Sequence, residues 1–123
     1  ILGPNGIRTL GKSNPRYRPG GYHSGSSWPM DAALITRGLL RYGANAEARM
    51  VADRSIRAIE GVGAYPELFR SDESEKCGVS RYIIDVRDAQ LGTSNRICQP
   101  PQLLQGWTIA AFRWFKQQQF GGN

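Results

Sequence analysis

The chain has 123 residues, which is enough for one domain at most, and its 40% hydrophobic content allows a core. Its net charge of +6 comes from basic residues that are scattered along the chain, so we do not predict a nucleic-acid-binding module. The sequence has neither the long apolar run of a membrane span nor the apolar region of a signal peptide, and we expect a cytoplasmic protein without a membrane partner. Because the chain begins at Ile1 and not at Met, we expect a processed, cloned or incomplete N-terminus.

Cysteine and histidine usage gives no metal signal. Cys77, Cys98 and the single His23 do not form a metal-ligand spacing, so this spacing predicts no metal site. We expect no organic cofactor. We expect two free thiols. One disulfide between Cys77 and Cys98 stays open as an alternative, because both lie in the same irregular region.

The N-terminal half predicts a long loop followed by two helices. Residues 1–27 are rich in Gly, Pro, Ser and Asn, which favour turns. A first helix should begin at Pro29, end at Tyr42-Gly43 and be buried on more than one side, because it is apolar on nearly every face. A second helix, from about residue 46 to residue 60, is apolar on one face only.

The C-terminal half predicts a second long loop and a third helix. The loop, 61–101, contains a strand-like run at 81–86, for which Ile97 is a candidate partner. The helix should run from Gln102 to about Gln118 and is again largely apolar. Two hydrophobic helices with one amphipathic partner cannot close a core. We therefore predict an all-α arc of two inner helices and one outer helix, cut from a larger ring, with at most a short β-hairpin.

Three segments carry candidate site residues. In the first, Tyr22, His23, Trp28 and Asp31 surround a helix start, where aromatic faces can stack on sugar rings and polar groups can bind hydroxyls. The residues alone favour a simpler alternative, which is a capped helix start with Trp28 in the core.

The second segment is an acidic residue between aromatic residues. Glu67 lies between Tyr65 and Phe69, where partial desolvation would favour proton acceptance by a carboxylate. An exposed loop glutamate is the alternative, and spacing alone favours it.

The third segment combines glutamines with a tryptophan near the third helix. Gln102 and Gln105 could bind sugar hydroxyls beside Trp107. The alternative is a helix cap with Trp107 in the core.

Six motifs then stand in order between Gly6 and Trp107. They are Gly6-Ile7-Arg8-Thr9-Leu10, Asn14-Pro15-Arg16-Tyr17, Tyr22-His23-x-Gly25-Ser26-x-Trp28-Pro29-x-Asp31, Ala33-Leu34-Ile35-x-Arg37-Gly38-Leu39-x-Arg41-Tyr42-Gly43, Pro66-Glu67-Leu68-Phe69 and Gln99-Pro100-Pro101-Gln102-x-x-Gln105-x-Trp107. In order and spacing they resemble the C-terminal part of bacterial amylo-α-1,6-glucosidase-like (glycogen-debranching-type) proteins.

The resemblance implies a fold and an activity. The fold is an (α/α)6 toroid, of which residues 1–123 would be a single C-terminal segment. The activity is inverting hydrolysis of an α-glucosidic (debranching-type) bond in an oligo- or polysaccharide, with Glu67 at the position of the general base. The exact linkage stays open, because trehalose-like and glycosyl-glycerate substrates also fit the sequence. The substrate-binding positions would be Tyr22, His23, Trp28, Asp31, Gln102 and Gln105.

The sequence also departs from the family pattern. Met30 replaces a histidine that many relatives carry, and the arginine that precedes the family's Leu-Pro-Glu-Leu-Phe is absent here. The general acid would lie before Ile1, so we expect the isolated chain to be inactive or nearly so. The alternative function is a non-catalytic truncated fragment that self-associates through exposed inner helices, with weak or no carbohydrate binding.

Overall fold

The protein is described by a computed structural model that covers residues 1–71, 81–87 and 94–118. Three helices and two short antiparallel hairpins form the described chain, so the predicted mainly helical class is confirmed. The elements are β1 (Leu2–Gly3), β2 (Gly6–Ile7), α1 (Pro29–Arg41), α2 (Asn45–Val62), β3 (Tyr82–Arg87), β4 (Ser94–Gln99) and α3 (Gly106–Gln117).

Helix α1 has the predicted bounds. Pro29 occupies the first turn, where its missing N–H removes no hydrogen bond, and Trp28 before it has extended backbone. Asp31 lies in the first turn, where its negative charge faces the positive end of the helix dipole. The helix ends before Tyr42, and Gly43 follows with a φ of 75°.

Helix α2 buries one face, as its sequence pattern predicts. The core positions recur at helical spacing, and Ala48, Val51 and Ile56 are examples. Gly63 ends the helix with a left-handed φ of 67°.

The core between the three helices is built from small side chains around one aromatic ring. Phe115 of α3 is fully buried, and the residues that pack around it include Ala32, Ala48 and Ala52. Alanines allow the helix backbones to approach closely, so a short chain encloses this cluster. The N-terminal hairpin covers one side of this core, since Leu2 and Ile7 pack against it.

Helix α3 begins at Gly106, so the prediction of a start at Gln102 is wrong. The physical reason is that main-chain groups of residues 102, 103 and 105 form hydrogen bonds to another loop, and Gln105 has extended backbone. The carbonyl of Gln102 accepts from the N–H of Glu67, and the N–H of Gln105 donates to the carbonyl of Tyr65, both at 2.9 Å.

The predicted hairpin is present as β3 and β4. The strands pair antiparallel, with Ile84 opposite Ile97. Cys98 of β4 is bonded in a disulfide, so the expectation of two free thiols is wrong for this residue. Cys77, the other cysteine of the sequence, lies outside the described residues.

The sides of α1 and α3 that face away from the core are apolar and exposed. This differs from the prediction that these helices are buried on more than one side. Leu34 of α1 is 61% exposed and Trp107 of α3 is 60% exposed. Between the helices lies an apolar groove of about 430 Å³, whose lining includes Met30, Leu34, Trp107 and Trp114. This is the surface that an arc of a larger helical ring would present. None of the described helices is long and apolar enough to cross a membrane.

Candidate functional site

Glu67 lies where three loops meet. We name them the aromatic loop (residues 22–28), the glutamate loop (residues 64–69) and the glutamine loop (residues 99–105). The aromatic and glutamate loops are joined by backbone hydrogen bonds, since Ser27 and Phe69 exchange N–H to carbonyl bonds of 2.8 Å in both directions. The first two candidate segments of the sequence are therefore neighbours in space.

The glutamine loop bonds to the first part of the glutamate loop, at residues 65 and 67. The N–H of Glu67 donates to the carbonyl of Gln102, and the N–H of Tyr65 donates to the carbonyl of Leu103, each at 2.9 Å. Main-chain bonds thus fix Glu67 between the other two loops, and its position does not depend on side-chain packing alone.

Buried residues on both sides hold the glutamate loop in place. The Thr108 hydroxyl of α3 donates a buried hydrogen bond of 2.8 Å to the carbonyl of Pro66. Leu68 and Phe69 are fully buried, whereas Glu67 itself is half-buried. The predicted alternative of a freely exposed loop glutamate is therefore wrong.

The Glu67 carboxylate accepts a side-chain hydrogen bond from the aromatic loop. Tyr22 Oη donates to Glu67 Oε1 at 2.7 Å, across 45 positions of sequence. Oε1 of this carboxylate accepts the tyrosine hydrogen bond. Oε2 is the second oxygen at which the carboxylate can accept a proton.

Three rings of the aromatic loop form a compact cluster. Tyr22 contacts His23 and Trp28 edge-on, with ring centroids 4.6 Å and 4.7 Å apart. His23 and Trp28 stack nearly parallel, at 5.6 Å and 10°. The imidazole therefore covers one face of the indole, and His23 is itself exposed.

The indole is also held by polar contacts. Trp28 Nε1 lies 3.1 Å from the carbonyl oxygen of Tyr22 and 3.0 Å from Ser26 Oγ, and Ser26 Oγ donates to the same Tyr22 carbonyl at 2.6 Å. Ser26 is fully buried. Its role was missed by the sequence analysis, because a serine in a turn-rich loop gives no signal of what it will contact.

The two glutamines lie next to each other at the start of α3. Gln105 Nε2 donates to Gln102 Oε1 at 3.1 Å, with Gln105 half-buried and Gln102 exposed. Amide groups here can both donate to and accept from a bound hydroxyl. Asp31 lies further along, half-buried in the first turn of α1.

The structure therefore brings four of the predicted residues into direct contact. Tyr22, His23, Trp28 and Glu67 form one contact cluster. The predicted glutamines belong to the loop that binds the Glu67 backbone. Within the part of the chain that is described, no group of three or more His, Cys, Asp and Glu could hold a metal ion.

One comparison with known proteins identifies a family for this chain. Neither the comparison with curated proteins nor the one with solved structures found a match. The family model described as "Mannosylglycerate hydrolase MGH1-like glycoside hydrolase domain" matches residues 2–83. This match supports the glycoside hydrolase prediction but not the amylo-α-1,6-glucosidase type that the sequence motifs suggested. The match includes the aromatic and glutamate loops, and the chain belongs to the MGH1-like glycoside hydrolase family.

Proposed function

We propose that the chain is a segment of an inverting α-glycosidase domain in which Glu67 is the general base. The observation that carries the proposal is the position of Glu67. It is a half-buried carboxylate at the junction of three loops, bonded to an aromatic cluster, in a chain of a glycoside hydrolase family. The proposed domain is an (α/α)6 toroid, to which residues 1–123 contribute a C-terminal arc.

The chemistry assigned to Glu67 is proton abstraction from water. As the water oxygen bonds to the anomeric carbon, one of its O–H bonds breaks and the proton passes to the carboxylate. The bond to the leaving oxygen breaks at the same time, and that oxygen takes a proton from a second carboxyl group. In inverting enzymes the two carboxyl groups are about 6.5–9.5 Å apart, which leaves room for the water. We assign no residue of this chain to the second role.

The sugar would bind over the aromatic loop and beside the glutamine loop. The exposed imidazole of His23 and the partly covered indole of Trp28 offer apolar ring faces for a sugar ring. Gln102 and Gln105 supply amide groups for its hydroxyls, and Asp31 supplies a carboxylate.

Two substrate classes follow from different observations. The family is described by mannosylglycerate hydrolysis, which favours a sugar joined to a small hydroxy acid. The sequence motifs favour an α-1,6-glucosidic branch point. We rank the glycosyl-glycerate first, because the family match extends over the aromatic and glutamate loops. The disulfide of Cys98 argues against the predicted cytoplasmic location, because disulfides are rare in cytosolic proteins.

The test is Glu67→Gln in the protein expressed from its complete reading frame. Mannosylglycerate and an α-1,6-branched oligosaccharide would be the two substrates, and product would be measured as released sugar. Removal of a general base lowers kcat by about 10²- to 10⁴-fold. When the reaction of the unmodified protein is followed by NMR, the first sugar product should have the anomeric configuration opposite to that of the substrate.

Glu60→Gln is the matched control. Glu60 is an exposed residue of α2 that forms an ion pair with Lys116 at 2.7 Å, and the substitution removes the same charge. The control should keep kcat within twofold of the unmodified protein. Equal rates for Glu67→Gln and the unmodified protein, on a substrate that is hydrolysed, would refute the assignment.

A second candidate function rests on the apolar groove between α1 and α3. A non-catalytic chain could self-associate by placing Leu34 and Trp107 of one copy against the groove of another, because exposed apolar patches favour such contacts. Sedimentation velocity of the 123-residue chain tests this. A dimer that Trp107→Glu dissociates would support it, and a monomer at all concentrations would exclude it.

A further inference from the structure

The hydrogen bond from the Tyr22 hydroxyl to Glu67 restricts the orientation of the carboxylate. The 2.7 Å bond from Tyr22 Oη is made to one oxygen, Oε1. A carboxylate on a flexible glutamate side chain can rotate about its terminal torsion, which has broad preferences. A donor fixed on one oxygen restricts that rotation.

Tyr22 is suited to this because its own main chain and ring are fixed. Its carbonyl oxygen has polar contacts with Ser26 Oγ at 2.6 Å and Trp28 Nε1 at 3.1 Å. Its ring is held edge-on against both His23 and Trp28. Both the main chain of Tyr22 and its ring are therefore held in place, and so is the hydroxyl that the ring carries.

The main-chain framework makes this contact independent of substrate. Ser27, in the same loop as Tyr22, exchanges two backbone bonds with Phe69, in the same loop as Glu67. The distance between the two loops is thereby set before a ligand binds. The Tyr22–Glu67 bond is made within that fixed spacing.

We infer that Tyr22 is a positioning residue for the general base: it binds Oε1 of Glu67 so that Oε2 faces the attacking water. This inference rests on the proposed role of Glu67. It gives Tyr22 a function that differs from the sugar contact expected from its motif. The reacting proton goes from water to Oε2, and the Tyr22 proton stays on its own oxygen throughout.

The kinetic test is Tyr22→Phe in the protein expressed from its complete reading frame. The substitution keeps the ring contacts and removes the donor. Loss of orientation at a reacting group lowers kcat by about 10- to 100-fold, and KM should stay within twofold because no sugar contact is lost. Tyr42→Phe, at an almost fully exposed tyrosine, is the matched control and should leave both constants unchanged.

A spectroscopic test separates this inference from the proposed function. The side-chain carboxyl carbons of glutamate are labelled with ¹³C, and the Glu67 signal is identified by its absence in Glu67→Gln. Tyr22→Phe should move that signal, and Tyr42→Phe should not.

Each outcome decides between the alternatives. A lower kcat with constant KM and a moved Glu67 signal supports the positioning role. A raised KM with constant kcat overturns it and indicates a sugar contact. An unmoved signal overturns the contact itself. A moved signal with unchanged kcat in Tyr22→Phe overturns the positioning role. Full activity of Glu67→Gln overturns the proposed function, whatever the result for Tyr22→Phe.

Discussion

Thr108 Oγ1 donates a hydrogen bond of 2.8 Å to the carbonyl oxygen of Pro66, and both residues are buried. This contact ties the first turns of α3 to the residue directly before Glu67. Because Pro66 has no N–H, its carbonyl is the only polar main-chain group through which α3 can hold that residue.

Thr108→Val should destabilise the protein by about 1–3 kcal/mol. The substitution keeps the shape of the side chain and leaves a buried carbonyl without its donor, which costs the desolvation of that group. Urea unfolding followed by circular dichroism measures the change.

Thr36→Val is the control for this substitution. Thr36 is equally buried in α1, but its hydroxyl has no hydrogen-bond partner among the residues that the structure describes. Replacing an unpaired buried hydroxyl with a methyl group should be neutral or stabilising. If both variants lose the same stability, the Thr108–Pro66 bond contributes nothing of its own.

Two glycines near the end of α2 should respond to alanine in opposite directions. Gly61 is helical and a Cβ there would meet no neighbour, so Gly61→Ala should stabilise the protein by about 0.5–1 kcal/mol through helix propensity. Gly63 also has open space around it but has a φ of 67°, which disfavours a side chain. Gly63→Ala should therefore destabilise by about 1 kcal/mol. Thermal unfolding of both variants checks the sign, and a stabilised Gly63→Ala would contradict the left-handed helix end.

The Phe115 ring should account for a large part of the stability of the core. Phe115→Ala removes the ring around which the alanines of α1 and α2 pack, and such truncations cost about 3–5 kcal/mol. Leu104→Ala is the comparison, because Leu104 is 79% exposed, and its loss should change stability by less than about 0.5 kcal/mol. Similar losses for the two variants in urea would mean that the helices do not enclose Phe115.

The disulfide of Cys98 predicts the redox behaviour of the chain. Thiol titration of denatured, unreduced protein should find no free Cys98 thiol, and reduction should lower the free energy of unfolding by about 2–4 kcal/mol. Two reactive thiols per chain in protein purified without reductant would contradict the bond and would restore the original expectation of free cysteines.

Local signals in the sequence predicted the first two helices well. Pro29 and Gly43 mark the ends of α1 because each acts through its own backbone preference. The apolar face of α2 follows from the spacing of residues such as Val51 and Ile56. These features need no knowledge of distant residues.

Features that depend on distant residues could not be predicted in the same way. Helix propensity favours an early start for α3, but main-chain groups of residues 102, 103 and 105 bond to residues 65 and 67 of the glutamate loop instead. The pairing of Tyr22 with Glu67 has no local signature, since both positions lie in loops far apart in sequence. The family motifs gathered both residues into one site, whereas their mutual contact emerges only from the fold.

The paired backbone bonds between Ser27 and Phe69 have an evolutionary consequence. Main-chain bonds do not depend on side-chain identity, so mutations can replace the exposed residues of either loop without changing the spacing between them. Under the proposed role of His23 in sugar binding, a substitution at this exposed residue would change which sugar is accepted and leave the geometry around the carboxylate unchanged. A scaffold of this kind allows new specificities to arise by single substitutions.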